Sequence, residues 1–222
     1  MTMPSSKSAQ SDTLKDRVLL QLQQLIVAGQ LVPGAKLLET QLAETLGVSR
    51  ATLREAMNRL VEIGLLENKP FRGTYIRDLS RVDLTEIYSL RTCLEQMAFK
   101  ICWPKRSRVA LADLHMRNDD LLARISANDA CGAITSELRL HSWCYELSGH
   151  SLLLQSWERL KPNLQFYFTL HQQAHGREGP QRESHNMYIE LAHGDNLEDM
   201  LEHLEMHMQQ GLTRTLQFVD SQ

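Results

Sequence analysis

The sequence predicts a mainly α protein, built as an N-terminal winged helix-turn-helix followed by a C-terminal all-α antiparallel helical bundle. Three observations predict it. Helical periodicity covers most of the chain, one pair of short strand-like runs flanks a Pro/Gly tip at residues 65–77, and no strand run survives beyond Asp78. The expected division is a polar, disordered stretch at 1–12, a winged domain at 13–79 and a bundle at 80–222.

The first helix is expected over Leu14–Val27, where apolar residues at 14, 18, 22, 25 and 26 share a face and Gly29 follows as a stop. Pro33-Gly34 is a turn dipeptide. A second helix then runs from about Glu39 to Leu46 and ends at Gly47, where glycine adopts a left-handed cap cheaply. Ser49 is a good N-cap for a third helix, RATLREAMNRLVEI, which stops at Gly64. Leu65–Asn68 and Thr74–Arg77 read as the strands of a hairpin whose tip is Lys69-Pro70-Phe71-Arg72-Gly73. Six further helices are expected at about 82–103, 107–126, 129–148, 150–174, 181–193 and 196–219, with connections short enough for an antiparallel bundle.

Composition excludes several classes. The apolar content of 42% is enough to build real cores. The polar start lacks the apolar core of a secretory leader, and no run of about 18 apolar residues occurs, so a cytoplasmic protein is expected. The four cysteines form no C-x-x-C pair and read as free thiols filling helix cores. Charge is uneven: residues 1–79 carry 10 Lys/Arg against 8 Asp/Glu, and residues 80–222 carry 14 against 19. That asymmetry fits a front half facing a polyanion.

A helix lying in a major groove needs short polar and cationic groups at its N-terminal end. Ser49, Arg50, Thr52 and Arg54 supply them, with Arg50 and Arg54 on one helix face. Lys69 and Arg72 on the wing can add phosphate contacts. Taken alone, arginines 50, 54 and 59 could be an ordinary solvated face. The order of helix, tight turn, cationic helix start and Pro/Gly hairpin favours nucleic acid.

The segment PGAKLLETQLAETLGVSRATLREAMNRLVEIGLLENKPFRGTYI, Pro33 to Ile76, resembles the DNA-binding domain of GntR-type regulators, specifically the branch with an FCD effector domain of the six-helix, VanR-like type. The resemblance maps Arg50 and Arg54 onto the family's DNA-contacting arginines and Gly73 onto its wing-tip glycine. Ala51-Thr52-Leu53 stands where Thr-Pro-Val is common. The implied protein is a homodimer that binds a palindromic operator in double-stranded DNA, a ligand-responsive transcription regulator and, by the family's commoner habit, a repressor.

Nine histidines, eight of them between 141 and 207, raise a metal reading for the back half. Glu137 and His141 are spaced i, i+4, as two ligands on one helix require, but His171/His175 and His203/His207 share that spacing. The resemblance selects Glu137, His141, His185 and His207 as ligands of a divalent ion such as zinc, nickel, manganese or iron. Glu137 replaces the family's usual Asp, an extra methylene of about 1.5 Å. By the same resemblance Arg91, in YSLRTCLE, is placed to meet the carboxylate of a small effector, or else to pair with Glu95 at a surface or interface. Arg139 is a second effector candidate, although it points about 100° or more away from the ligands.

Two alternatives accompany this reading. A metal-dependent hydrolase would use the same histidines, but it leaves 33–77 unexplained and no H-E-x-x-H occurs. A bundle that serves only for dimerisation would need no ligand at all.

Overall fold

The computed structural model describes residues 14–78, 80–175 and 182–219, so the stretch expected to be disordered at 1–12 lies outside the described residues. Helices α1 (Leu14–Val27), α2 (Glu39–Leu46) and α3 (Arg50–Ile63) are followed by strands β1 (Leu66–Lys69) and β2 (Gly73–Ile76). Then come α4 (Arg81–Cys102), a 3-10 turn at Trp103–Lys105, α5 (Arg108–Ser126), α6 (Ala130–Ser148), α7 (Ser151–His175), α8 (Arg182–His193) and α9 (Leu197–Val219).

Local chemistry sets the boundaries. The Ser49 hydroxyl accepts from the Thr52 N–H at 3.1 Å and starts α3, while Gly47 (φ 64°) and Gly64 (φ 89°) end α2 and α3 in left-handed caps that expose no Cβ to strain. Ser80 and Asp129 cap α4 and α6 in the same way as Ser49. The hairpin is antiparallel with Leu66 opposite Ile76 and Lys69 opposite Gly73, and Lys36 bridges to Tyr75 on the outer side of β2.

Two apolar cores form. In the first, Leu22, Ile26, Leu53, Leu60, Leu65 and Ile76 are fully buried, and Phe166 and Leu170 of α7 are packed among them. The second joins all six back helices around Leu84, Phe99, Leu114, Leu140, Trp157, Leu164, Tyr188 and Leu204. Helix α7 therefore belongs to both. Its Asn163 amide also donates to the carbonyl of Ile63, the last residue of α3, at 2.8 Å. Between Trp157 and Asn163 lies Pro162, which has no N–H for the carbonyl of Glu158 and leaves a rung out of the helix ladder.

Of the four cysteines, Cys102 and Cys144 are buried as expected, whereas Cys93 and Cys131 are exposed and fill no core. Both exposed thiols sit on the outer faces of their helices, where the period carries them away from the bundle axis.

Candidate functional site

The front half presents its expected residues outward. Arg50 and Arg54 are exposed at the start of α3, whose first turn has no acidic side chain, so the positive end of the helix dipole is uncompensated there. Arg54 donates to Glu39 of α2 at 2.6 Å, an exposed pair that a phosphate or base edge could displace at little cost. Ser49 and Thr52 share a hydroxyl hydrogen bond at 2.8 Å in addition to the cap. On the wing, Lys69 is engaged with Glu67 at 2.8 Å and lies 4.7 Å from the Tyr75 ring centre, while Arg72 and Gly73 are exposed at the tip.

The back half does the opposite and gathers ionisable groups inside. Glu137 and His141 from α6, His185 from α8 and His207 from α9 each offer one ligand atom, and these atoms all lie within 4.8 Å of one another. His141 and His207 rings are stacked 5.4 Å apart, and His185 meets each of them edge-on at 5.7 and 5.3 Å. His185 Nε2 is 3.4 Å from a Glu137 oxygen. Bonds of about 2.0–2.2 Å from each of these atoms would meet at one ion after some closure of the group. The family's spacing and the fold converge on the same four residues. His203 lies beside them, its ring 5.8 Å from that of His207, but is not one of the converging set. The side chains of His171 and His175 lie outside the described residues.

Glu95 is the residue that spacing alone did not bring to the cluster. Its carboxylate pairs with His141 Nδ1 at 2.5 Å, which turns His141 Nε2 toward the other ligands as a buried atom with no hydrogen-bond partner. A carboxylate behind a ligating imidazole fixes its tautomer and orientation. The Tyr188 hydroxyl also reaches Glu95, at 3.4 Å. The available signal was a helix carrying Arg and Glu at i, i+4 within an otherwise apolar face.

Electrostatics suit neutral imidazoles. Burial, reinforced by the Arg91 and His185 charges, holds His141 well below the usual histidine range. Burial and the His141 charge do the same for His207. Burial would raise Glu137, but its hydrogen bond with His185 and the nearby charges outweigh that and keep the carboxyl low. Burial dominates at Glu95 and pushes it to about 7 despite Arg91. Neutral His and ionised Glu are the metal-binding forms.

Arg91 is 1% exposed, so its i, i+4 contact with Glu95, at 3.4 Å, is a buried pair and not a surface one. Its Nε and Nη2 have no hydrogen-bond partner, and its guanidinium lies 5.6 Å from the Trp157 ring centre. Trp157 stacks on Tyr145 at 4.8 Å and donates to Ser142, the neighbour of His141, at 2.7 Å. Arg139 is corrected. It is exposed, two residues from each α6 ligand and so on the far side of the helix, and lines no part of the cluster.

A cationic helix start beside a hairpin, joined to a helical bundle around a buried histidine cluster, is the layout of a DNA-binding regulator with a separate helical body. Comparison with known families agrees: residues 14–76 match the bacterial regulatory proteins of the gntR family, and residues 86–210 match the FCD domain. The chain belongs to the GntR family of transcription regulators, in its FCD-bearing branch. It is 28% identical over 187 residues to the Nta operon transcriptional regulator of Aminobacter aminovorans, covering 80% of this chain and 85% of that one. It is 24% identical over 196 residues to the gluconate operon transcriptional repressor of Bacillus licheniformis, covering 86% and 80%. The solved structure of E. coli McbR/YncC shares the fold, with a TM-score of 0.80 over 93% of this chain and 99% of that one at 24% identity. Family and relatives are transcription regulators, which sets aside the hydrolase alternative. No helix among the described residues is long and apolar enough to cross a membrane.

Proposed function

We propose that the chain is a cytoplasmic, homodimeric repressor whose affinity for a palindromic operator changes when a divalent metal ion and a small carboxylate occupy the bundle. The observation that carries this reading is the convergence of Glu137, His141, His185 and His207 within 4.8 Å, with His141 oriented from behind by Glu95. Three imidazoles and a carboxylate suit zinc, nickel, manganese or iron. When bound, such an ion supplies a cationic coordination position for an effector oxygen. Arg91 receives the effector's carboxylate through Nη2, a buried guanidinium N–H group with no hydrogen-bond partner, while its Nε stays paired with Glu95. The gluconate operon repressor's name favours repression over activation.

On the DNA side, Arg50 and Arg54 read base edges with Ser49 and Thr52 beside them, and Lys69, Arg72 and Gly73 position the wing on the backbone. Two-fold symmetry of the dimer makes the operator palindromic. Helix α7 joins the two sites. Trp157 touches Arg91 and Ser142 at the sensor end, and Asn163, Phe166 and Leu170 hold α3 and the first core at the other. The missing rung at Pro162 is the weakest point of the α7 ladder, and any change of angle between the two halves falls there.

The test is elemental analysis of protein purified without a histidine tag, against a His141→Ala, His185→Ala double variant. About one equivalent of metal per chain in the wild type and none in the variant is expected. No metal in either form would remove the metal from this reading and leave the sensor resting on Arg91 alone.

A further inference from the structure

The wing tip holds a residue that the fold does not need. Phe71 stands at φ 60°, in the left-handed region, and its relative exposure is 110%, the largest among the exposed large apolar side chains. For a non-glycine residue that conformation is strained, and bulky side chains are rarely found in it. A glycine would serve the turn better, since the Arg72 N–H already closes it on the Lys69 carbonyl at 3.0 Å and no part of the turn packs on the ring. The chain therefore carries both a backbone cost and an uncovered aromatic at the same position. Neither is repaid inside the chain.

The surroundings identify what repays them. Lys69 and exposed Arg72 lie within two residues of Phe71 in the chain, so the partner of the ring is one that tolerates cations near an apolar insert. Two strands of four residues project the tip by about 13 Å, and the hairpin leaves directly from the end of α3 through Leu65. With α3 in a major groove, the tip crosses the adjacent phosphate ridge toward the minor groove. That groove has apolar sugar walls between two rows of phosphates, and phenylalanine is among the side chains that wedge between base steps there.

We propose that Phe71 is a DNA-contacting residue whose ring enters the minor groove next to the α3 site, with Lys69 and Arg72 on the bordering phosphates. The assignment rests on the DNA-binding class of the chain and is independent of whether the bundle takes a metal. It makes the wing a reader of deformability, with a preference for an easily unstacked pyrimidine–purine step beneath the tip.

The experiment uses the full chain and a duplex selected by the wild-type protein from a random-sequence library. Phe71→Asn is the informative variant, because asparagine tolerates the left-handed backbone without glycine's freedom but has no wedge. Its affinity is expected to fall roughly tenfold with an unlowered melting temperature and an unchanged salt slope, while Phe71→Leu, which keeps an apolar wedge, stays within about threefold of wild type. A 2-aminopurine placed under the tip should brighten with wild type and not with Phe71→Asn. Wild-type affinity in Phe71→Asn would overturn the assignment. So would a reduced salt slope, which would trace the loss to Lys69 or Arg72.

Discussion

The two halves of the molecule place their functional residues in opposite ways. In the winged domain Arg50, Arg54, Arg72 and Phe71 are exposed and carry little of the fold, whereas Arg91, Glu95, His141 and His185 in the bundle are all but inaccessible. Exposed contacts can be exchanged for a ligand with little change in stability. Buried ionisable groups cannot, because each depends on its partners for the loss of water. Function and stability should therefore separate cleanly at the front of the molecule and remain entangled at the back.

The largest expected effect is at the front. Replacing Arg50 and Arg54 with alanine should weaken operator binding by on the order of 100-fold or more, since each base contact is worth about 1–3 kcal/mol, with a melting temperature within about 1 °C of wild type. Fluorescence anisotropy and thermal melting on the same samples measure both. Retained affinity would remove α3 from the groove. At the back, chelation should lower the melting temperature by about 5–10 °C, the equivalent of roughly 2.7 kcal/mol for a site held at a hundred times its dissociation constant. A Glu95→Gln variant should bind metal about 10–100-fold more weakly, because His141 loses the carboxylate that orients it, and should also melt lower than wild type, because buried Arg91 loses its ion-pair partner.

A smaller effect comes from pH in metal-stripped protein. The unfolded chain takes up protons at His141 and His207 near pH 6.5, while burial keeps both neutral in the folded chain. Stability is therefore lost as pH falls below 6.5, by up to about 1.4 kcal/mol per pH unit for each. Glu95, raised from 4.5 to about 7, works the other way and contributes stability that is lost as pH rises through that window. Two imidazoles outweigh one carboxyl, so denaturant unfolding at pH 5.5 should show a lower midpoint than at pH 7.5. An equal or higher midpoint at pH 5.5 would mean that the cluster is protonated when folded. The smallest effect is expected at Lys69→Ala, which should reduce the slope of log affinity against log salt by about 1 without altering sequence preference.

What could be read from the sequence follows the same division. Ser49, Gly47, Gly64 and the Pro70–Gly73 tip act on their immediate neighbours, so the helix starts, stops and hairpin between residues 33 and 77 were legible in order. The bundle's six helices were legible too, because 3.6-residue periodicity is local. Which side chains meet across the bundle is not local. Spacing left His203/His207 as open as Glu137/His141 until α6, α8 and α9 were brought together. Glu95 could be read as a partner for Arg91 but not as the carboxylate behind His141, 46 residues away in sequence. Periodicity marked a helix at about 150–174 but could not say that Phe166 and Leu170 on it complete the winged domain's core. Arg139 shows the converse, since a 100° step per residue was enough to doubt it and the fold carries it to solvent.

Helix α7 is where the halves stop being separate, and along it occupancy of the buried cluster is expected to reach α3. The most direct measurement is the operator affinity of one protein preparation, metal-replete and then metal-stripped with content verified, in wild type and in Asn163→Ala. A difference of about 5–150-fold is expected between the two states of the wild type, and a ratio near one for Asn163→Ala, which should still hold its metal and still bind DNA. Superimposable wild-type curves with metal demonstrably bound and removed would contradict it.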